Sequence, residues 1–390
     1  MQKEITTELV PIKMWLDDVE NGAVVQAKYL ANLPFAFKHV CLMADAHQGS
    51  GMPVGGVLAT NGVIIPNAVG VDVGCGICAV KTNIEADIVN RESLKQIMGY
   101  IRRVVPVGFD HHKDRQDEIF MPQGFDIDKL HVVKGQYLAA LKQIGTLGGG
   151  NHFIELQRDD EGFLWIMIHS GSRNIGLRVA NYYNKKAQIM NALWYSAVDQ
   201  QADLAFLPFK TEEARNYYEE MKYCVAFAFA NRKLMMNNIQ SVIADMIPNI
   251  AFEQMINIAH NYAAWENHFG NNVVVHRKGA TSAREGEIGI IPGSQGTKSY
   301  IVEGLGNAES FMSCSHGAGR VMGRKQASRE LNLEEEQKKL DSQGIIHSVL
   351  TTKDLDEASS AYKDIAQVMA FQQDLVKIKV ELSPLGVIKG

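Results

Sequence analysis

The sequence predicts an α+β fold, and three observations carry that reading. Short β-branched runs such as Val57-Leu58-Ala59-Thr60 and Val63-Ile64-Ile65 crowd the early part of the chain, interrupted by Gly and Pro. The stretch from Glu213 to Met246 is instead long, charged on one side and rich in Ala, Met and aromatics, which predicts a helix or helical hairpin. No internal repeat, low-complexity tract or Pro/Ser linker divides the 390 residues, so residues 1–390 read as one intertwined domain with ample length for a large core.

Along the chain, Phe163-Leu164-Trp165-Ile166-Met167-Ile168 reads as a buried strand that delivers His169 at its end, followed by a Gly/Ser turn into a helix near Leu177. Phe252 to His268 places Phe252, Met255, Ile256, Ala259 and Ala263 on one apolar face, predicting a further helix with His260 at the edge of that face. Asn272-Val273-Val274-Val275 is a second buried strand, delivering His276. His316 stands before a small-residue turn, Gly317-Ala318-Gly319, that is expected to open a helix at Val321. Leu385-Gly386-Val387-Ile388-Lys389 is apolar apart from its lysine, and an apolar end docks, which brings Lys389 into the fold.

A formal net charge of −5 argues against a protein that coats nucleic acid over its whole surface. A local basic groove remains open, with Arg320, Arg324 and Lys325 or His276-Arg277-Lys278 as candidates. The five cysteines form no spaced framework, which fits a reducing compartment. Met1-Gln2-Lys3-Glu4 lacks the basic and apolar parts of a signal peptide, and no apolar run approaches the ~20 residues of a membrane span. A cytoplasmic protein with no membrane contact is expected.

Asp72-Val73-Gly74-Cys75 sets a hard carboxylate and a soft thiolate three residues apart. Histidines then arrive singly in Gly/polar islands: His152 after Gly148-Gly149-Gly150-Asn151, His169 before Ser170-Gly171-Ser172, His260 before Asn261, and His316. Asp72, Cys75, His152, His169 and His260 offer donors enough for one crowded ion or two ions sharing the thiolate. Each also has an ordinary reading: Cys75 as a small core residue, His260 as a hydrogen-bonded core histidine, Asp72 as a turn cap. On donor chemistry alone zinc is the default metal, and Cys78, without a second Cys-x-x-Cys pair, reads as core. His316, with Arg320 and the backbone of its turn, could attack phosphorus and carry the group as a phosphoramidate; the alternative is a histidine that hydrogen-bonds substrate or caps a helix. Pro292-Gly293-Ser294-Gln295-Gly296-Thr297-Lys298-Ser299 is a Gly/Ser loop with a cation, suited to a phosphate or a base edge.

Taken together, and in this order, these motifs resemble the RtcB family of RNA-splicing ligases. The resemblance runs from Pro11-Ile12-Lys13-Met14-Trp15 through Asp45-Ala46-His47-Gln48-Gly49 and Val71-Asp72-Val73-Gly74-Cys75-Gly76 to Val387-Ile388-Lys389-Gly390. It implies a central metal and nucleotide cleft, two Mn2+ ions, GTP, and the joining of an RNA 3′-phosphate or 2′,3′-cyclic phosphate end to a 5′-hydroxyl end, in tRNA splicing or RNA repair. By matching motif, Asp72, Cys75, His152, His169 and His260 would hold the metals, with Cys75 bridging, and His316 would be the nucleophile. Asn151, His152, Phe153, Ile154, Glu155, His260, Asn261, Pro292, Gly293, Ser294, Gln295, Ser299, His316, Gly317, Ala318, Gly319 and Lys389 would contact the guanylate, and Tyr362 would stack on guanine. His276 is left to substrate or structure, and Arg173 and Arg277 are candidate RNA phosphate contacts. Gln295, Gly149 and Ala46 stand where the family commonly has Met, Ser or Thr, and Val, which suggests a divergent paralogue with a narrower RNA substrate. An activating protein is a further candidate partner. The competing readings are a metal-dependent phosphohydrolase acting on cyclic phosphate ends, which would not need His316 or Lys389, and a non-catalytic RNA-end binder.

Overall fold

The computed structural model describes residues 1–390, and two large sheets organise it. One has six strands in the spatial order Lys3–Ile5, Ile12–Met14, Ala36–Ser50, Met52–Thr60, Asn271–Lys278 and Asn261–His268. The other has seven, in the order Ile256–Ala259, Gly76–Glu85, Phe163–Ser170, Phe153–Asp159, Val376–Lys389, Ser299–Gly304 and Ile288–Ile291. Both are closed by distant segments: Val57 pairs with Arg277, and Phe153 with Lys389. The early and late thirds of the chain therefore share both sheets, as an intertwined fold requires.

The long helical pattern forms a single helix, Glu212–Met246, rather than a hairpin. Thr211 caps it by accepting from the Ala214 N–H, and the helix stops at Met246, two residues before Pro248, because the backbone of Ile247 is pushed out of the helical region. Tyr217, Phe227 and Met235 are among its buried residues. Its polar residues are buried too, where they position loops. Asn231 accepts from the N–H groups of Gly145 and Thr146 (2.7 and 3.1 Å) and donates to Thr146 O and Gly171 O. Arg232 donates to Gly74 O at 3.1 Å and Ser170 O at 2.8 Å. One helical turn thus ties down the segments that lead to Cys75, His152 and His169.

Several expectations need correction. Phe252–His268 is not a helix: it forms the strands Ile256–Ala259 and Asn261–His268, with His260 at the junction. Alternation in the second strand is disguised because Ala263, Glu266 and His268 are its buried residues, and two of them are polar. Arg277 explains how. It is fully buried and donates to Glu266 Oε2 at 3.1 Å, Phe311 O at 3.0 Å and Ser313 Oγ at 2.9 Å, so it is an internal ion pair and no RNA contact. His276 lies inside the strand Asn271–Lys278, accepting from the Ile65 N–H at 3.0 Å, a structural role. No helix opens at Val321; the chain stays irregular until Arg324–Glu330. The Leu385–Lys389 segment does dock, as the end of the strand Val376–Lys389. No helix is long and apolar enough to cross a membrane, and all five cysteines are free and buried.

Candidate active site

The Gly74 turn, the end of the strand Phe163–Ser170 and the His260 junction meet at Cys75. Cys75 Sγ lies 3.4 Å from His152 Nε2 and 3.2 Å from His169 Nε2, and His152 Nε2 lies 3.1 Å from Asp72 Oδ2. The His260 N–H donates to Cys75 O at 2.8 Å, and its ring sits 5.2 Å from that of His169. Gly171 makes the approach of Asp72 feasible, since a Cβ there would stand 2.3 Å from Asp72 Oδ1. The donors resolve into two triplets that share the thiol, Cys75 with His169 and His260, and Asp72 with Cys75 and His152.

The chemistry of this set fits cations. His260 Nδ1 is buried without any hydrogen-bond partner. Burial pushes the Cys75 thiol up, and neighbouring Asp72 pushes it further. Burial holds His169 and His260 neutral, the state in which a ring nitrogen can ligate. Against the opposing effect of burial, His152 draws the Asp72 carboxyl below its ordinary range. A shared soft thiolate with hard and imidazole donors on either side suits two divalent ions.

Beside this cluster stands His316, whose ring is 4.7 Å from that of His260. Its Nδ1 is 2.6 Å from Asp45 Oδ2, and the same oxygen accepts from the N–H groups of His316 and Gly317 at 3.1 and 3.2 Å. Burial alone would raise the Asp45 carboxyl, but His316 brings it below its ordinary value, so it stays ionised. Gly319 permits the contact: at φ +75° it tucks against Asp45 O, where a Cβ would sit at 2.2 Å. With Nδ1 engaged, Nε2 is the free nitrogen.

The cleft enclosing these groups measures about 280 Å³. Of the residues expected there, Asp72, Cys75, Asn151, Phe153, Glu155, His169, His260, Asn261, Pro292 to Gln295, His316 to Gly319, Tyr362 and Lys389 line it. His152 stands behind Cys75 and Asp72. Ile154 is outside: its side chain is in the core and its backbone pairs with Ile168 and Ile388. Ser299 is outside as well, accepting from the Gly293 N–H at 3.2 Å and so shaping the loop. Asn261 spans Asp72 O (3.0 Å) and the Gly279 N–H (2.7 Å).

At the far end, Glu357 gathers Arg320 (3.1 Å), Arg324 (2.7 Å) and the Tyr362 hydroxyl. Gln295 donates to Glu357 O at 2.8 Å and leaves its own Oε1 buried and unpartnered. Burial lifts the Glu155 carboxyl to about 8, and burial likewise lowers Lys389, whose ammonium stands over the Phe153 ring. Asp45, His47, Asn231, Arg232 and Glu357 are the site residues that sequence reasoning missed. The Asp45-Ala46-His47 motif was the available signal for two of them.

A mixed α+β fold with a buried Cys/His/Asp cluster beside a carboxylate-held histidine defines an enzyme with a metal-ligand centre. A family model described as tRNA-splicing ligase RtcB matches residues 26–390, and the chain belongs to the RtcB family. It is 39% identical to the RNA-splicing ligase RtcB of Escherichia coli (strain K12), over 99% of each chain. It is 30% identical to the tRNA-splicing ligase RtcB of Thermococcus kodakarensis and 31% to that of Nanoarchaeum equitans, each over 98% of this chain and 95% of the relative.

Proposed function

We propose that this protein is a GTP- and manganese-dependent RNA ligase, acting in the cytoplasm in tRNA splicing or RNA repair. It would join a 3′-phosphate or 2′,3′-cyclic phosphate end to a 5′-hydroxyl end through a guanylylated His316. The observation that carries the reading is a histidine tied by Nδ1 to Asp45, with Nε2 free, next to two metal-donor triplets sharing Cys75. Membership of a family of RNA- and tRNA-splicing ligases supports the substrate class.

Asp72, Cys75, His152, His169 and His260 would hold two manganese ions, whose charge, when bound, offsets that of the phosphates and aligns them. His316 Nε2 attacks the α-phosphorus of the substrate GTP, and the bond to pyrophosphate breaks. Asp45 steadies the imidazolium that results, as the carboxylate partner of a catalytic histidine does. Lys389, Glu155, Tyr362 and the Pro292–Gln295 loop bound the space for the guanosine. The 3′-phosphate of the RNA takes the guanylyl group from His316, which makes GMP its leaving group, and the 5′-hydroxyl displaces GMP. A cyclic end is first opened by water to the 3′-phosphate. Arg173, whose Nη1 lies 3.4 Å from His152 Nδ1, is the candidate contact for an RNA phosphate at the cluster.

The test is incubation with manganese and α-labelled GTP, followed by denaturation. Acid-labile, alkali-stable label on wild type and none on His316→Ala is expected. Wild type that binds manganese yet takes no label would sink this reading in favour of a phosphohydrolase.

A further inference from the structure

Most titratable groups on the cleft wall already have partners or tasks. The metal donors face one another, Arg320, Arg324 and Tyr362 close on Glu357, and Glu155 and Lys389 line the space proposed above for the guanosine. Lys278 lines the wall but is spent on carbonyls, donating to Ser50 O at 2.5 Å and Asn67 O at 3.2 Å. His47 is left over. It is half-buried on the cleft wall.

Its ring orientation is fixed. Nδ1 lies 3.0 Å from Asp45 O and 3.5 Å from the Arg320 N–H. A carbonyl can only accept, so the shorter contact puts the proton on Nδ1 and leaves the Nε2 lone pair free. Nε2 makes no hydrogen bond. The supporting backbone is pinned: Ser315 Oγ meets the Asp45 N–H at 3.3 Å, Lys363 donates to Ala46 O at 2.6 Å, and His47 itself pairs with Val54 across the strands. Asp45 therefore holds two imidazoles by their Nδ1 atoms, His316 through its carboxylate and His47 through its carbonyl. Both rings line the same cleft, and neither Nε2 has a hydrogen-bond partner. Burial lowers His47 to about 4, Asp45 opposes that shift, and His316 and Lys363 from the neighbouring segments reinforce it, so the ring is neutral at physiological pH.

We infer that His47 is the general base of strand sealing: its Nε2 receives the hydrogen bond of the incoming RNA 5′-hydroxyl and takes its proton. As that oxygen bonds to the guanylylated 3′-phosphorus, the bond to GMP breaks, GMP leaves with the electron pair, and the His47 imidazolium returns its proton to solvent. The inference rests on the ligase reading above and adds a residue to its last step. A neutral ring with a fixed acceptor nitrogen is the form a general base needs before the reaction.

The experiment uses the whole protein with manganese and measures two steps separately, self-guanylylation with labelled GTP and sealing of an RNA bearing a preformed 3′-guanylylated end, from roughly pH 9 down to roughly pH 3, a range that spans the value of about 4 for His47. His47→Asn is expected to lose about 100-fold more in sealing than in guanylylation, within the usual range for a general base. Its sealing rate should also lose the fall on the acid side that wild type shows as His47 protonates. Added imidazole should restore part of the sealing lost in His47→Ala. Equal losses in both steps, or an acid limb retained in His47→Asn, would overturn the proposal, because a merely structural histidine would behave that way. Wild type that takes no guanylate would fail on different grounds, those of the ligase reading.

Discussion

At the cysteine end of the cleft, donors converge with few hydrogen bonds to satisfy them, whereas at the tyrosine end Arg320, Arg324, Glu357 and Tyr362 satisfy one another. Burying a polar group without a partner costs roughly 1–3 kcal/mol. A fold that leaves His260 Nδ1 orphaned beside a buried thiol is tolerating that cost for something that binds. At the tyrosine end the charged groups are all partnered, and the orphaned atom there is a neutral amide oxygen, Gln295 Oε1. One carboxylate holds two guanidinium groups and a phenol there, and the network keeps a shape. The contrast separates residues that wait for ions from residues that build a wall, a distinction the residue types alone do not make.

The largest test of the comparison is Cys75→Ala, which removes the donor common to both triplets. On the proposed two-manganese ligase reading, metal analysis should find both ions lost and guanylylation gone, whereas His260→Ala should lose one ion. Equal stoichiometry in the two variants would break the shared-thiol arrangement. At the other end, Glu357→Ala strands two arginines and a tyrosine, and should cost about 3 kcal/mol in urea unfolding, as removal of one partner from a buried ion network does. Manganese stoichiometry should survive that change. A smaller effect, about 1 kcal/mol, is expected at Asp45. Its folded carboxyl lies below the unfolded value, so it stabilises above the ordinary carboxylate range near 4 and loses that contribution as pH falls through the lowered value. Asp45→Asn should flatten the acid side of a stability-against-pH curve, and an unchanged curve would mean that His316 does not hold the charge.

Much of this cleft was legible because its donors sit in short motifs where Gly lets backbone segments approach, as around Asp72-Val73-Gly74-Cys75 and His316-Gly317-Ala318-Gly319. The strand that delivers His169 was legible from its unbroken apolar run. Phe252–His268 was misread because its apolar spacing mimics a helix, while pairing with Gly76–Ala79 and Asn271–Lys278 decides the backbone. Arg277 was misread because a basic residue is ordinarily solvated, and only the fold brings Glu266 to it. Asp45 and His47 eluded residue-level reasoning for a related reason. Their meaning lies in contacts with a segment about 270 residues away, and no local pattern encodes such a partner.

The contact between Asp45 and His316 joins residues 271 apart in sequence. A ribosome adding roughly 5–20 residues per second would make Asp45 about 15 to 50 s before His316 exists. Through most of that interval the nascent chain has neither His316 nor the strand Asn271–Lys278 that will cover the edge of Met52–Thr60. The Asp45–His316 pair thus forms only late in synthesis, and the early sheet spends that time as an open edge for chaperones to guard.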